Sequence, residues 1–534
     1  MASALVLNIP RPGTCYTTEH IGRAAAAARQ RVTAQQQPLS ARPALVPPAA
    51  SRRAVLPPAR STNTGPDIAV TNFAVEAPDK SDEVLECPSL RGALRPRPSP
   101  FVVNNNFGGG FVSDEDRVAL SAIKFASGES AGAKCITSDD GQSDRWLEAS
   151  MEQLCVPLPP WALRAGARET IWFNPAEVNA AIVTCGGLCP GLNDVVQGLV
   201  SKLTDYGVPE GNVMGIRYGF RGFYDRAAKP VVLTKQAVEG IHLEGGTLLG
   251  TSRGGADMRQ IVKQIDLWGI DMVFVVGGNG GNAGAAAIQE ALEKHKILCS
   301  VVGVPKSIDN DILLIDKTFG FDTAVEEAQR ALLAAKVEAS SAYRGIGVVK
   351  LMGRQSGFIA MQASMASGVV DVCLIPEVPF KLTGENGMFS YLDKVLSEKG
   401  HAVVCVAEGA GQDTLNAQEV KCDASGNPIL KDVGTWLRSE MKRHFKDADI
   451  KYIDPSYLIR SIPTISGDRI YCKVLAHNAV HAAFAGFTGV TMGLVNTHYC
   501  YLPIRTVIQA PRRVDPRGKT WNRLRVSIGQ PNFY

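Results

Sequence analysis

The chain contains 534 residues, of which 45% are hydrophobic, and its mean hydropathy is close to zero. This composition is typical of a soluble globular protein, and the length exceeds that of one ordinary domain. The formal charge is +4, but residues 1–60 alone contribute +7, so the rest of the chain carries −3. This mild acidity argues against a nucleic-acid partner and against an anionic membrane surface, so phosphate-bearing ligands need local binding groups.

The first 65 residues are predicted to form a chloroplast transit peptide. The segment is rich in Ala, Arg, Ser, Thr and Pro, is nearly free of acid, and lacks the apolar run of a secretory signal. A disordered arm that stays attached is the alternative. Because the apolar stretches of the chain are too short to span a bilayer, we expect a protein of the plastid stroma without a membrane partner.

Residues 66–165 are predicted to form an irregular extension, because prolines and a run of three glycines at 108–110 interrupt any regular pattern. The twelve cysteines of the chain lack the spacing of a zinc site or of a disulfide framework. Three of them, Cys87, Cys135 and Cys155, lie in this extension. A regulatory dithiol and ordinary unpaired thiols both remain open for these three.

From residue 166 the pattern changes, because short apolar runs typical of buried strands alternate with helical periodicity. This alternation predicts an α/β fold with a mostly parallel sheet covered on both faces. The clearest strand-like runs are 180–184, 272–276, 299–304, 346–349 and 403–406. Thr323 and Glu326 have the spacing of a capping box, which predicts the start of a helix that runs to about residue 339.

Three glycine-rich turns are candidates for phosphate binding, since bare backbone N–H groups at a helix start attract anions. They cover residues 185–193, 245–255 and 277–284. The second turn contains Arg253, and the third contains Asn279, a possible oxygen ligand for Mg²⁺. Taken singly, a solvent-exposed arginine and a turn-stabilising asparagine are the simpler interpretations.

The octapeptide V-P-K-S-I-D-N-D at residues 304–311 is the main catalytic candidate. It follows a buried strand, and in an open α/β sheet the carboxyl ends of the strands face the ligand crevice. Two nearby carboxylates raise each other's pKa. One of Asp309 and Asp311 is therefore expected to act as the base, and the other to orient the metal or Lys306. A polar loop that caps the next turn is the alternative.

The ordered motifs resemble those of plant-type ATP-dependent 6-phosphofructokinases over about residues 165–510. They are C-G-G-L-C-P-G-L-N-D, G-G-N-G, P-K-S-I-D-N-D, D-K-T-F-G-F-D-T-A-V-E-E-A, L-M-G-R, V-A-E-G-A and N-T-H-Y. The resemblance implies two doubly wound lobes with mostly parallel sheets at 166–510, followed by a C-terminal tail at 511–534. It also implies phosphoryl transfer from ATP to the 1-hydroxyl of fructose 6-phosphate, with Mg²⁺, in a homo- or hetero-oligomer for which we expect a tetramer.

Carried over by motif, the resemblance makes Asp309 the base that activates the sugar hydroxyl and places Mg²⁺ at Asn279, with Asp311 as a second candidate. The positions implied to hold ATP are Gly187, Arg253, Gly254, Gly278, Asn279, Gly280 and Gly281. The positions implied to contact fructose 6-phosphate are Ser307, Ile308, Asp309, Met352, Gly353, Arg354, Glu408, Tyr457, Leu458, Ile459 and Arg460. Lys451 matches a cation that the family supplies from the adjacent subunit.

Donor choice depends on two positions. ATP-dependent relatives resemble this chain at Gly280, whereas pyrophosphate-dependent ones have Asp there. Lys306 resembles the pyrophosphate-dependent pattern, but plant ATP-dependent enzymes combine Gly with Lys, which favours ATP.

The chain also departs from the plant pattern, at Gly281, Asn282, Gln197 and residues 463–465. Where Gly281 stands, the plant pattern that the chain resembles usually has Thr, so a hydroxyl near the triphosphate is missing. Because of these departures, a catalytically weak regulatory subunit of a hetero-oligomer is one alternative to an active ATP-dependent enzyme. A pyrophosphate-dependent enzyme is the other.

Overall fold

The computed structural model describes residues 83–103, 110–120, 159–415 and 429–533. The expected transit peptide, Cys135 and Cys155 lie outside these residues. The strands in chain order are β1 Arg97–Pro98, β2 Arg117–Ala119, β3 Trp161–Arg164, β4 Thr170–Ile171, β5 Ala180–Thr184, β6 Val213–Ile216, β7 Val231–Val232, β8 Met272–Gly277, β9 Ser300–Pro305, β10 Gly345–Leu351, β11 Val372–Leu374, β12 His401–Ala407, β13 Ile450–Ile453, β14 Val490–Val495 and β15 His498–Pro503.

Helices alternate with these strands over most of the chain. In order they are α1 Pro100–Val103, α2 Leu192–Tyr206, α3 Met258–Leu267, α4 Asn279–Lys294, α5 Phe321–Ser340, α6 Phe358–Ser367, α7 Met388–Lys399, α8 Gln412–Leu415, α9 Val433–His444, α10 Ser456–Arg460, α11 Ser466–Phe484, α12 Ile504–Val507 and α13 Lys519–Ile528. Short 3₁₀ turns occur at Arg91–Ala93, Gly219–Phe223 and Ile241–Leu243.

The first sheet has nine strands in the order β2-β3-β15-β14-β9-β8-β5-β6-β7. Its centre is parallel, because β14, β9, β8, β5 and β6 pair in one direction, and its edges are antiparallel. The central strands β5, β8 and β9 are buried at every residue, which explains their unbroken apolar runs. The strand order reverses between β5 and β8, and such a switch point opens a ligand crevice.

The second sheet is wholly parallel, with four strands in the order β11-β12-β10-β13. Helices α5, α6 and α13 share one apolar cluster with its face, while α7 and α9 share another. In the first sheet, α2 and α11 cover one face and α3, α4 and α12 the other. Two parallel-sheet layers covered on both faces confirm the predicted α/β class. Both sheets belong to one compact unit.

The predicted central strands agree with the structure to within three residues at each end, but the predicted capping box at Thr323 is wrong. Helix α5 begins at Phe321 after Gly320, whose φ of +82° places it in the left-handed region. Thr323 lies inside the helix, where its hydroxyl donates to Asp468 Oδ2 at 2.6 Å. A buried acid from α11 has therefore taken over the hydroxyl that the local pattern assigned to the cap.

The segments that flank the central region also pack against it. Strand β2 pairs with β3, which pairs with β15, so part of the N-terminal extension completes the first sheet. Helix α13 buries Trp521 and Leu524 against the second sheet. In the described part of the chain, no helix has both the length and the apolarity needed to cross a membrane.

The eight described cysteines are free thiols, and seven of them are buried. Cys87 is partly buried, and its thiol points to the carbonyl oxygens of Leu85 and Tyr501 at 3.8 and 3.7 Å. Burial raises the pKa of Cys87 to about 12. The protonated thiol is a weak nucleophile, so Cys87 fits the interpretation as an ordinary thiol.

Candidate active site

A cleft of about 720 Å³ opens where the carboxyl ends of both sheets meet. The acidic loop after β9 lies at its floor, flanked by the glycine-rich turns after β5 and β8 and by residues 252–254. Met352, Arg354 and Glu408 enter from the ends of β10 and β12 in the second sheet, and Arg460 enters from α10. The structure thus gathers groups that are more than 270 residues apart in sequence.

The acidic loop is held in one conformation by its own polar groups. The backbone N–H of Lys306 donates to the carbonyl oxygen of Gly277 at 2.9 Å, which ties the loop to the end of β8. Asn310 adopts a left-handed φ of +56° and accepts a hydrogen bond from the N–H of Thr318 at 2.9 Å. An asparagine tolerates this conformation better than most residues, so it fits a turn between two acids.

Asp309 has an unpaired carboxylate oxygen in the cleft. Its Oδ1 is buried and has no hydrogen-bond partner among the described residues. Burial, together with the charges of Asp311 and Glu408, raises the pKa of Asp309 to about 8, whereas the charges of Lys306 and Arg354 oppose the shift. A buried polar atom without a partner is costly, so this oxygen is poised to bind a donor that the protein itself does not supply.

Asp311 contrasts with Asp309 because both of its carboxylate oxygens have partners. The Ser307 hydroxyl donates to Oδ1, and the Asn279 amide donates to Oδ2 at 3.1 Å. Burial still raises the pKa of Asp311, although these hydrogen bonds and the charge of Lys306 act in the opposite direction. The arrangement makes Asp311 a supporting group that orients Ser307 and Asn279.

The turn after β8 is already the first turn of a helix, since α4 begins at Asn279. Asn279, Gly280 and Gly281 therefore present the positive end of the helix dipole to the cleft. A Cβ added to Gly280 would have nothing within 4 Å, so this position opens directly into the cleft. The Asn279 Oδ1 atom is buried and has no hydrogen-bond partner in the described residues.

The glycines of this turn have different purposes. A Cβ on Gly284 would lie 2.5 Å from the Phe220 ring, and one on Gly277 would lie 2.8 Å from Gly281 Cα. Both glycines permit close internal packing, and Gly284 also lines the cleft together with Gly278, Gly280 and Gly281. Four of the five glycines of this turn therefore line the cleft, and only Gly277 is used for internal packing alone.

Three cations surround the turn after β5. Their closeness to the backbone is given by the distance from a Cβ atom placed on each glycine. A Cβ on Gly187 would lie 3.7 Å from an Arg253 guanidinium nitrogen and 3.8 Å from Arg460 Nη1. One on Gly186 would lie 3.5 Å from Lys306 Nζ. Because arginine and lysine donors converge on exposed backbone, this part of the cleft suits the phosphate groups of bound ligands.

The opposite side of the cleft is built by the ends of β10 and β12. Gly353 has a φ of +131°, and its carbonyl oxygen accepts from the N–H of Gly409 at 3.1 Å, which fixes the turn that presents Arg354. Burial raises the pKa of Glu408, and the charge of Arg354 acts against this shift. An acid and a guanidinium thus line the same space, where they can bind a hydroxyl group and an anionic group respectively.

Of the predicted site residues on β13 and α10, one lines the cleft and the others do not. Arg460 lines it, but Tyr457 and Leu458 are 74% and 72% exposed, and Ile459 is buried in the core. The Arg460 guanidinium carbon lies 4.7 Å from the centre of the Tyr457 ring, so the phenol supports the arginine. Lys451 is paired with Asp449 at 3.0 Å and lies outside the cleft of its own chain.

The departures from the plant pattern are mostly structural. Asn282 is fully buried, and its amide donates to the carbonyl oxygens of Gly277 and Gly278 at 3.2 and 3.1 Å. Gln197 donates to the carbonyl oxygen of Val238 at 3.1 Å, and Thr464 donates to the carboxylate of Asp194. These three side chains are bonded to the protein instead of lining the cleft. Gly281 does line the cleft.

Sequence reasoning missed several side chains that line the cleft. They are Phe220, Met258, Gln355, Ile508 and Pro511, among others. Phe220 and Met258 lie outside the three glycine-rich turns and the acidic loop, and Ile508 and Pro511 lie at or beyond the end of the region that the motifs cover. Their placement depends on the packing of distant segments, so no local pattern identified them.

The donor set of the cleft fits Mg²⁺. The described residues contain no group of three or more His, Cys, Asp or Glu side chains that would cage a metal. Magnesium instead needs one or two protein oxygens together with substrate phosphates and water. Asn279 Oδ1, which is buried without a partner among the described residues, is a hard oxygen donor of this kind.

The sequence pattern of the family described as Phosphofructokinase matches residues 179–483. The chain is 53% identical to "ATP-dependent 6-phosphofructokinase 5, chloroplastic" of Arabidopsis thaliana over 79% of this chain and 76% of that protein. It is 50% identical to "ATP-dependent 6-phosphofructokinase 4, chloroplastic" of the same plant, over 69% and 71%. A solved pyrophosphate-dependent phosphofructokinase from Marinobacter aquaeolei has the same fold, with a TM-score of 0.56 at 19% identity over 67% of this chain and 91% of that one.

Proposed function

The chain belongs to the phosphofructokinase family, and from this premise we propose that it transfers a phosphoryl group from ATP to the 1-hydroxyl of fructose 6-phosphate. The products are fructose 1,6-bisphosphate and ADP, and the reaction belongs to glycolysis. The observation that carries the proposal is the unpaired Oδ1 of Asp309, which lies between a cationic cluster and an acid–guanidinium pair. Phosphoryl transfer needs these three elements and little covalent chemistry from the protein.

Asp309 is the proposed general base. A carboxylate whose pKa lies near the working pH combines a useful basicity with a sizeable ionised fraction, and burial has raised this pKa to about 8. The bound hydroxyl supplies the hydrogen-bond donor that Oδ1 lacks. As the oxygen attacks the phosphorus atom, its proton moves to Asp309, and the bond between the transferred phosphorus and ADP breaks.

The donor phosphates are assigned to the cationic side of the cleft. Gly187, Gly254 and Gly278 provide exposed backbone, while Arg253 and Lys306 provide charge. The helix dipole of α4 adds to this positive potential. Together these groups neutralise the charge that develops on the transferred phosphoryl group.

The sugar phosphate is assigned to the other side. Arg354 and Arg460 bind its phosphate, and Glu408 accepts a hydrogen bond from a sugar hydroxyl. Ser307, Ile308 and Met352 close the space between the two halves, and all three line the cleft. This assignment leaves the 1-hydroxyl beside Asp309.

Mg²⁺ is the proposed cofactor, with Asn279 as its oxygen ligand and with Asp311 positioning that amide. When bound, the ion neutralises phosphate charge during the transfer. Asp311 holds the Asn279 amide nitrogen at 3.1 Å, which turns the carbonyl oxygen of the same amide away from it.

ATP is favoured over pyrophosphate because of Gly280. The space around Gly280 leaves room for the part of the donor beyond its terminal phosphates. Phe220, Met258 and Ala287 line the cleft there. Apolar side chains of this kind suit a nucleobase, and pyrophosphate would leave them without a partner.

The protein is proposed to work as an oligomer in the plastid stroma. Lys451 lies outside the cleft of its own chain, so it is available to the substrate of a neighbouring copy in a homo- or hetero-tetramer. The plastid assignment rests on the acid-poor N-terminal composition and on relatives that are named chloroplastic.

A coupled assay on the purified protein tests the proposal. ATP and pyrophosphate are compared as donors at equal concentration, with fructose 6-phosphate and Mg²⁺ present, and the formation of fructose 1,6-bisphosphate is followed. We expect turnover with ATP and none with pyrophosphate. Binding of both ligands without turnover would instead identify a regulatory subunit.

A further inference from the structure

A short segment near the C-terminus closes over the acidic loop. We name residues 511–514 the C-terminal strap. Pro511 pairs with Ile312 in an isolated antiparallel bridge, and the backbone N–H of Arg512 donates to the carbonyl oxygen of Asp311 at 2.8 Å. The strap thus touches the loop directly after its two aspartates.

The Arg512 side chain holds the next part of the loop. Its Nη1 donates to the carbonyl oxygens of Ile315 and Asp316 at 3.0 and 2.8 Å. The guanidinium carbon also lies 4.9 Å from the centre of the Phe358 ring, at the start of α6. One side chain therefore joins the loop of the first sheet to a helix of the second.

The loop needs such external support because its backbone is strained. Asn310 and Leu314 have φ values of +56° and +67°. An asparagine adopts this region with modest cost, but a leucine rarely does. Strained residues persist only where surrounding contacts hold them, and Arg512 binds the two carbonyl groups that follow Leu314.

The other end of the strap is anchored to the segment that carries Arg354. The buried carboxylate of Glu377 accepts from the N–H of Val514 at 2.8 Å and from the N–H of Gly357 at 3.0 Å. One residue earlier, the Ser356 hydroxyl donates to the carbonyl oxygen of Asp309 at 3.2 Å. The strap, Glu377 and Ser356 together connect the base to the turn that presents Arg354.

We propose that Arg512 is a positioning residue, which fixes the acidic loop so that Asp309 faces the substrate held by Arg354. The inference rests on the proposed function. Arg512 acts through main-chain carbonyl groups and need not touch either substrate. Its loss therefore lowers kcat by letting the base drift, while Arg253, Arg354 and Arg460, which lie outside the loop, stay in the cleft.

Full-length Arg512→Ala tests this role beside a matched control at another docking point of the C-terminal region. Gln530 holds the edge of β11, because its side chain exchanges two hydrogen bonds with the backbone of Cys373 at 2.7 and 3.1 Å. Gln530→Ala loosens the C-terminal region without touching the acidic loop. Arg512→Lys serves as the conservative variant, since its ammonium can still reach a carbonyl oxygen.

We expect Arg512→Ala to lower kcat about 10- to 100-fold, as loss of a supporting contact typically does, with each KM changed less than about threefold. Arg512→Lys should recover part of kcat. Gln530→Ala should lower the thermal unfolding midpoint at least as much as Arg512→Ala does, yet keep the wild-type kcat. A folded Arg512→Ala with wild-type kcat, or an equal loss of kcat in Gln530→Ala, overturns the inference.

A second measurement does not depend on activity. Amide hydrogen exchange of residues 306–318 should rise in Arg512→Ala and stay unchanged in Gln530→Ala. Absence of turnover in the wild-type protein would refute the proposed function alone. Unchanged exchange in Arg512→Ala would refute the strap alone.

Discussion

The two sides of the cleft differ in how completely one chain builds them. On the first sheet, the acidic loop and the turn after β8 place most of the predicted groups in the cleft, and their polar atoms are either bonded to each other or directed at the ligand space. On the second sheet, Arg354, Glu408 and Arg460 arrive, but Tyr457 and Lys451 remain outside. In the proposed assignment, the donor site is therefore complete within one chain, whereas the sugar site leaves groups available to a neighbour.

The same contrast separates the two aspartates of one loop. Asp311 has partners for both oxygens, while Asp309 has an oxygen without one among the described residues. They lie two positions apart, so their chemistry is set by the partners that folding supplies. Substitutions on both sides of the cleft test this division.

The largest effect is expected for Asp309→Asn. The amide keeps the volume of the carboxylate but cannot take the hydroxyl proton, so kcat should fall about 10²- to 10⁴-fold. Calorimetric titration should show that ATP and fructose 6-phosphate still bind. Asp413→Asn, an exposed position outside the cleft, is the control and should keep wild-type kcat. A variant that retains most of its turnover would remove Asp309 from the role of base.

Gly280→Asp should nearly abolish the use of ATP. The new carboxylate would extend into the open cleft beside the donor phosphates, and like charges placed together cost several kcal/mol, which is about 10²-fold or more in kcat/KM for ATP. Gly467→Asp is a matched control, because Gly467 is also the second residue of a helix with open space around it. Unchanged ATP kinetics in Gly280→Asp would mean that the donor lies elsewhere.

On the second-sheet side, Glu408→Gln should raise KM for fructose 6-phosphate about tenfold, because a hydrogen bond to a charged group is weakened. It should also move the pH profile. The pKa of Asp309 is about 8, and the base acts when ionised, so kcat/KM should increase as the pH rises through this value. The charge of Glu408 raises that pKa, so its removal should shift the increase to lower pH.

The exposed Glu385 provides the comparison for this experiment. Glu385→Gln should leave both KM and the pH profile as in the wild type. If Glu408→Gln altered neither quantity, Glu408 would face neither the sugar nor Asp309.

The smallest effect is expected for Gly281→Thr, which restores the hydroxyl of the plant pattern. A Cβ at this position would lie 3.5 Å from Cys185 Cβ, an ordinary contact, so the substitution should fit. One new hydrogen bond to the donor should raise kcat/KM for ATP about two- to tenfold above that of Gly281→Val, which has the same shape without the hydroxyl. Equal kinetics in the two variants would show that the missing hydroxyl does not matter.

The sequence by itself determined the central strands, the α/β class, the three glycine-rich turns and the acidic loop. Each of these depends on residues close together in the chain: buried parallel strands read as continuous apolar runs, and turns need glycine or asparagine at defined positions. The helix start at Thr323 was wrong for a related reason. Its pattern is local, but Asp468 on α11, 145 residues away, captures the hydroxyl.

Only the tertiary structure decided which of these local features act together. The order of strands brings the ends of β5, β8 and β9 to the same cleft as those of β10 and β12, and this order is set by long-range packing. The same packing leaves Asp309 Oδ1 without a partner among the described residues, gives the Asp311 carboxylate two partners, and lays Arg512 across the loop. Contacts between distant residues depend on how whole sheets and helices bury their apolar faces, so no short stretch of sequence predicts them.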